Sequence, residues 1–173
     1  VGAFGVMYTL QAARWRVVAR TPSVPLRTFG GMVVGGIAVN NVLPGRIGDV
    51  LRARWLGLEA RLPFGRALAT VVLDRAGDVI ALTVLLGASA WGIDGAPWLR
   101  RIVLGAAAAV VLVICGVLVA RAYTVRRPRA RHGRGLARAF ARDTLDGLAD
   151  PLGHRRIAVA LGLSFTAWTV FAV

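Results

Sequence analysis

Side chains that could bind a phosphate group are concentrated in one stretch of the sequence, residues 40–54, which reads NNVLPGRIGDVLRAR. Proline cannot continue a helix, so Pro44 predicts a break, and the residues after it are expected to begin a new helix. The free N–H groups and the dipole of a helix start attract anions. Arg46 adds a guanidinium fork that fits phosphate oxygens, and Gly48 allows close backbone approach. The stretch therefore predicts an anion site.

A second charged cluster, LDRAGD at residues 73–78, lies inside an apolar block. An ionised side chain at the middle of a membrane helix costs about 2.5–3.5 kcal/mol on insertion, so these charges need partners. Asp74 and Asp78 share a helix face, and Arg75 can reach Asp78. Counting about 20 residues back from Gly92 puts the cluster in the first two helical turns, where charged side chains can extend to the interface. Structural pairing and a role in a polar pathway both remain open.

The elements that position these charges are expected to lie in a membrane. The chain has 173 residues, of which 57% are hydrophobic, and its mean hydropathy is +0.65. An ordinary soluble domain is about 45–50% apolar. Uncharged apolar blocks alternate with arginine-rich blocks, as expected if they are divided between lipid and water. We predict an all-α, polytopic transmembrane helix bundle in a single domain. Its apolar segments are about 1–10, 26–43, 67–93, 102–120 and 157–173.

The connecting segments predict the topology, because cytoplasmic loops carry an excess of arginine. Residues 11–25 and the long connector 121–156 are both basic and are both expected to be cytoplasmic. Three single crossings between them would put one outside, so we predict that segment 26–43 is a re-entrant hairpin ending at Pro44. The alternative is an additional crossing within residues 45–62. Within the connector, residues 135–149 can form an amphipathic helix, which could lie on the bilayer. Gly31 and Gly35 form a GxxxG spacing that predicts close helix packing.

Several classes of function are disfavoured by the same residues. All 22 basic residues are arginine, and 8 acidic residues leave a net charge of +14. Basic character alone is compatible with nucleic acid, but the arginines flank apolar spans and no nucleic-acid motif accompanies them, so we expect anionic lipid headgroups as partners. Cys115 is the single cysteine, and His132 and His154 lie in the connector, so we predict no metal site, no cofactor and no catalytic residues. Whether there is a protein partner or a homo-oligomer is left open.

Residues 14–20, 40–54 and 68–82, in this order, resemble the transmembrane region of lysylphosphatidylglycerol synthases and the related flippase-like integral membrane proteins. The resemblance is specific over the first half of the chain. Both family glutamates in these stretches are aspartate here, which keeps the charge but shortens the reach. The matching positions are Asn41, Pro44, Arg46, Gly48, Asp49, Arg52, Asp74 and Arg75.

The resemblance implies a multi-pass protein of the cell membrane that handles or translocates an anionic or polyprenyl-linked lipid. The alternative is the membrane-embedded part or accessory subunit of a lipid-modifying enzyme, such as an aminoacyl-phospholipid synthase or a lipid-linked glycosyltransferase. The exclusive use of arginine, with much alanine, valine, glycine and leucine, favours a bacterial origin. The chain begins at Val1 and ends inside an apolar stretch, so we expect an internal fragment. The site hypothesis is that three arginines bind a lipid phosphate while three aspartates balance them in the empty state. These residues are Arg46, Arg52 and Arg75, with Asp49, Asp74 and Asp78.

Overall fold

The computed structural model describes residues 2–91, 97–126, 136–149 and 153–172. Over these ranges the chain is helical and contains no strand, so the predicted all-α bundle is confirmed. The predicted segment end at 93 and the connector residues 127–135 and 150–152 lie outside the described residues. The helices are α1 (Gly2–Ala19), α2 (Leu26–Val42), α3 (Ile47–Ala60), α4 (Phe64–Trp91), α5 (Pro97–Arg126), α6 (Leu136–Ala149) and α7 (His154–Ala172).

The break between α2 and α3 follows the predicted proline signal. α2 ends at Val42, and Leu43 is extended, as expected for residues that precede a proline. Gly45 has φ +82° and Arg46 has φ +55°, so two successive residues in positive-φ conformations reverse the chain before Ile47 begins α3. Glycine adopts this conformation freely, whereas arginine does so at a cost of about 1–2 kcal/mol. The result is a helical hairpin of α2 and α3.

Glycines bring the two helices of this hairpin into close contact. A Cβ on Gly36 would lie 2.6 Å from the Arg52 side chain, and a Cβ on Gly48 would overlap the Gly36 carbonyl oxygen. Gly35 is similarly crowded, whereas Gly31 faces open space. The sequence therefore predicted close packing on the correct helix. Gly35 and Gly36 make the contact, whereas Gly31, the other member of the GxxxG pair, does not.

α1 and α4 differ from the predicted segments in a way that matters for the charges. α1 continues through the basic stretch to Ala19 instead of ending near residue 10, and it buries Arg14 and Trp15. α4 begins at Phe64, so Asp74 and Asp78 lie near the middle of a 28-residue helix and not in its first two turns. The predicted placement in the first two turns is therefore wrong, because α4 begins at Phe64 and not near residue 73, where the count back from Gly92 put its start.

The hydrophobic core lies where α1, α2, α3 and α4 meet. At its centre the Trp15 ring contacts the Phe29 ring edge to face, with centroids 5.0 Å apart. Trp15 is fully buried, so it does not belong to the interfacial belt typical of membrane tryptophans. The other buried members of the core are Ala12, Ala19, Val24, Met32, Val33, Ala53, Leu56, Ala67 and Val71.

The remaining helices pack around α4. α6 covers the predicted amphipathic segment and lies against the start of α4, where the rings of Phe64 and Phe140 stack 5.7 Å apart. A Cβ on Gly65 would lie 2.8 Å from the Phe140 carbonyl oxygen, so glycine is required at this contact. α7 packs against both α1 and α4. Within the part of the chain that the structure describes, no helix is both long enough and apolar enough to cross a bilayer.

Candidate functional site

Two aspartates on one face of α4 form the centre of the site. Asp74 is 1% exposed and Asp78 is 7% exposed, and they are four residues apart, so their carboxylates point in the same direction. An isolated carboxylate at this depth would be strongly unfavourable, because transfer of a charge out of water costs several kcal/mol even after relaxation. Each aspartate must therefore have a cationic partner.

Arg14 of α1 is the main partner of both aspartates. Its Nε donates to Asp74 Oδ1 at 2.8 Å, and its two terminal nitrogens donate to the Asp78 carboxylate at 2.5 and 3.0 Å. This bidentate arrangement is the strongest form of the arginine–carboxylate contact. One terminal nitrogen also donates to Ser164 Oγ of α7 at 2.9 Å, and Trp168 Nε1 donates to Asp78 at 3.0 Å. The pairing thus connects α1, α4 and α7.

Arg52 connects α3 to the same centre. Its NH2 group donates to Asp74 Oδ2 at 3.2 Å, and its NH1 group lies 3.6 Å from Asp49 Oδ1. The guanidinium carbon lies 4.2 Å from the centroid of the Trp15 ring, which gives a buried cation–π contact. The indole itself is fixed by donation from its Nε1 to Thr70 Oγ1 at 3.0 Å. Arg52 is 1% exposed, and its positive charge is therefore buried between α1, α3 and α4.

Arg75 and Asp49 form the outer edge of the arrangement. Arg75 donates to both oxygens of Asp49, at 2.7 and 3.3 Å, and also reaches Asp78 at 3.4 Å. The Arg75 side chain is 31% exposed, whereas the Arg52 side chain is 1% exposed. Access to the centre is therefore greatest at this edge.

We call these six residues the Arg–Asp network: Arg14, Arg52, Arg75, Asp49, Asp74 and Asp78. Three positive charges face three negative charges, so the network is electrically neutral as a unit. A neutral set with satisfied hydrogen bonds can be buried, whereas the loss of one member leaves an unpaired interior charge. Asp49, Asp74 and Asp78 thus pair with Arg14, Arg52 and Arg75, and Arg46 is not among their ion-pair partners in the described part of the chain.

The tip of the α2–α3 hairpin is built separately from the network. Asn40 Oδ1 accepts a hydrogen bond from Gly48 N at 2.8 Å and so satisfies one of the free N–H groups at the start of α3. Arg46, Asn41 and Pro44 are exposed at the tip. Arg46 adopts the left-handed conformation and directly precedes the first turn of α3.

The structure brings most of the predicted site residues together. Arg52, Arg75, Asp49, Asp74 and Asp78 form one continuous set of ion pairs. Gly48 lies at the adjacent helix contact. Asn41, Pro44 and Arg46 at the hairpin tip lie outside this set, because the backbone reversal directs the tip away from the buried face of α3.

Sequence reasoning missed the residues that complete the network from distant helices. Arg14, Ser164 and Trp168 come from α1 and α7, and Arg14 is 60 residues away from Asp74. Helical spacing detects only partners on the same helix. The available signal was the charge count, since Asp74, Asp78 and Arg75 sum to −1 and required a further cation from elsewhere. Arg14 was instead placed in the connecting segment 11–25, which was expected to be cytoplasmic.

The chemistry that this arrangement supports is exchange of ionic partners. All three nitrogens of the Arg75 guanidinium donate to Asp49 or Asp78, whereas Arg52 Nε is buried without a hydrogen-bond partner among the described residues. Among residues 2–91, 97–126, 136–149 and 153–172 no group of three histidine, cysteine, aspartate or glutamate side chains could hold a metal ion. The carboxylates of the network bind arginine instead.

Comparison with protein-family models gave a match along the whole chain. The model described as "Lysylphosphatidylglycerol synthase TM region" matches residues 1–173. Comparison with the curated proteins and comparison with the solved structures each gave no significant match.

Proposed function

Since the chain belongs to the lysylphosphatidylglycerol synthase transmembrane-region family and is therefore part of a membrane protein, we propose that it handles or translocates a lipid with a phosphate headgroup. The lipid is anionic or polyprenyl-linked. The observation that carries this proposal is the Arg–Asp network, a neutral set of charges inside an apolar helical bundle, with its Arg75–Asp49 edge partly open. Ionisable residues within membrane helices usually face the bundle interior or a water-filled cavity, and they often mark substrate or ion pathways.

In this proposal the arginines exchange carboxylates for phosphate. Arg46 at the hairpin tip makes the first contact with the headgroup. Arg75 and Arg52 then release Asp49 and Asp74 in part, and bind phosphate oxygens through the same guanidinium edges. The exchange requires no net gain of buried charge if an anion enters together with Arg46. The network plus Arg46 carries +1, which one phosphodiester charge neutralises.

The hairpin gives the headgroup a place to enter. α2 and α3 have 17 and 14 residues, both shorter than the roughly 20 that a crossing helix needs. This length supports a re-entrant hairpin whose tip, with Asn41, Pro44 and Arg46, lies at membrane depth. Irregular backbone is tolerated there only where it is buried in protein or lines a wet cavity. The proposed site is thus formed by the tip and the open edge of the network, with Gly48 holding α3 against α2.

Lipid retention tests this proposal directly. The full-length protein is extracted without detergent as wild type and as Arg46→Ala, and the retained lipids are identified by mass spectrometry. We expect one anionic or polyprenyl lipid to be enriched over the bulk membrane in the wild type and to lose its enrichment in the variant. The matched control is Arg54→Ala, because Arg54 is also exposed on the hairpin and the substitution removes the same charge. Equal enrichment in all three proteins would reject a headgroup site at the tip.

The family description favours one second candidate, an accessory role in lipid synthesis. In that case the module positions a lipid for a catalytic domain elsewhere in the gene product and does not move it. Measuring both the total amount of lipid product and its distribution between the two leaflets distinguishes the two functions. If Arg46→Ala changes only the distribution, translocation is supported. A fall in total product with an unchanged distribution supports the accessory role.

A further inference from the structure

A basic cavity lies beside the end of α1. It has a volume of about 500 Å³ and is bounded by the end of α1, the turn that follows it and the start of α7. Its polar lining consists of Arg16, Arg20, Thr21, Arg155 and Arg156, and the described lining includes no acidic side chain. Arginines from two helices, α1 and α7, thus line the same space. We call this space the basic cavity.

Two polar atoms beside the basic cavity are buried without a hydrogen-bond partner among the described residues. They are Thr21 Oγ1 and Arg16 Nε. Thr21 is 8% exposed, and its side chain lines the cavity. Arg16 is held in place by donation from its NH2 group to the Pro22 carbonyl oxygen at 3.2 Å. Buried polar groups in native proteins are nearly always satisfied, so an orphaned hydroxyl and an orphaned guanidinium N–H beside one cavity indicate a ligand with acceptor oxygens.

The start of α7 adds a third indication. A helix N-terminus carries a partial positive charge and is stabilised by acidic residues, but the first turn of α7 contains none and includes Arg155 and Arg156 instead. These arginines repel both the helix dipole and one another. A bound anion would offset this repulsion, because the helix dipole and the guanidinium groups would both attract its negative charge.

We propose that the basic cavity binds a phosphate group. Phosphate offers several acceptor oxygens in a tetrahedral arrangement, which suits guanidinium forks from two helices and a threonine hydroxyl. The same chemistry is supplied by the headgroup of a phospholipid and by a free phosphate ester. This site uses none of the residues of the Arg–Asp network or the hairpin tip, so it does not rest on the proposed function, and either site can fail without the other.

The first test measures lipid binding to the full-length protein in phosphatidylcholine nanodiscs that contain a small fraction of phosphatidylglycerol. Native mass spectrometry counts the bound phosphatidylglycerol. We expect the Arg155→Gln/Arg156→Gln variant to bind about tenfold less tightly, because two charge-assisted contacts are lost. The matched control is Arg100→Gln/Arg101→Gln, which removes two adjacent exposed arginines near the start of α5. An equal effect of both double variants would overturn the proposal, since surface charge alone would then explain the binding.

The second test separates ligand binding from folding. Thr21→Val removes the orphaned hydroxyl but keeps the shape of the side chain. We expect about threefold to tenfold weaker binding with an unchanged or higher melting temperature, because an unsatisfied buried group is removed. Thr21→Ser retains the hydroxyl and should restore binding. If Thr21→Val binds as tightly as wild type, the hydroxyl does not face a ligand and the proposal fails.

Competition with inorganic phosphate identifies the source of the phosphate group. Displacement of phosphatidylglycerol by millimolar phosphate in the wild type would assign the cavity to a free phosphate ligand. Retention of the lipid against phosphate, together with its loss in Arg155→Gln/Arg156→Gln, would assign it to a lipid headgroup.

Discussion

The Arg–Asp network and the basic cavity both contain arginines, but Arg14 of the network and the α7 arginines of the cavity are in opposite electrostatic settings. Arg14 is 1% exposed and is ion-paired with two aspartates. Arg155 and Arg156 at the basic cavity are exposed, and no acidic side chain shares the described lining. A charge buried away from water must be neutralised by its neighbours, whereas an exposed guanidinium is stabilised by hydration. Burial and not residue type therefore separates an arginine that holds the fold from one that is available to a ligand.

The largest expected effect is the difference in stability between a variant that lacks a buried arginine of the network and one that lacks an exposed arginine of the cavity. Arg14→Met leaves Asp74 and Asp78 with one cation fewer in the interior, and breaking a buried pair in this way costs about 3–5 kcal/mol. Arg155→Met removes a hydrated charge and should change the stability by no more than about 0.5 kcal/mol. The measurement is thermal unfolding of the two full-length variants in the same lipid nanodiscs.

A rebalanced variant then tests whether charge is the cause. Adding Asp78→Asn to Arg14→Met restores the equality of positive and negative charges in the network. We expect the double variant to be more stable than Arg14→Met alone. If the two losses of stability instead add, Arg14 contributes by packing and the contrast between the two regions is not electrostatic.

The next effect concerns the hairpin contact that brings α3 to the network. A Cβ on Gly48 would overlap the Gly36 carbonyl oxygen, so Gly48→Ala must separate α2 from α3. We expect a loss of about 1–3 kcal/mol, typical of overpacking, and weaker placement of Arg52 and Asp49. Gly31→Ala is the control, since a Cβ at this helical position meets open space. It should leave the stability unchanged or raise it by up to about 1 kcal/mol. Equal melting temperatures for Gly48→Ala and wild type would contradict the close contact.

The smallest effect distinguishes two adjacent asparagines. Asn40→Ala removes the acceptor for Gly48 N at the start of α3 and should cost about 1 kcal/mol. Asn41→Ala, on an exposed side chain, should have almost no effect on stability. Denaturant or thermal unfolding of the two single variants provides the comparison, and a larger cost for Asn41 would mean that the tip packs against a further element.

Local features of this protein were predictable because their causes are local. Pro44 ended α2, and Gly45 supplied the positive φ of the reversal. The residues after the break formed a new helix with Asp49 in its first turn. Arg75 reached Asp78, three residues away on the same helix, as the spacing indicated. The family resemblance in three stretches was confirmed by a match that covers the whole chain.

What the sequence determined by itself is thus the helical class, the hairpin break and the set of charges that require partners. Only the tertiary structure decided which charges meet. Arg14, Arg46 and Arg155 are the same residue type in the sequence, but packing of α1 against α4 and α7 buried Arg14, whereas Arg46 and Arg155 are exposed. The same packing brought Ser164 to Arg14 across 150 residues. Long-range ion pairs depend on the relative positions of helices, which helical periodicity cannot specify, since it describes only neighbours within one helix.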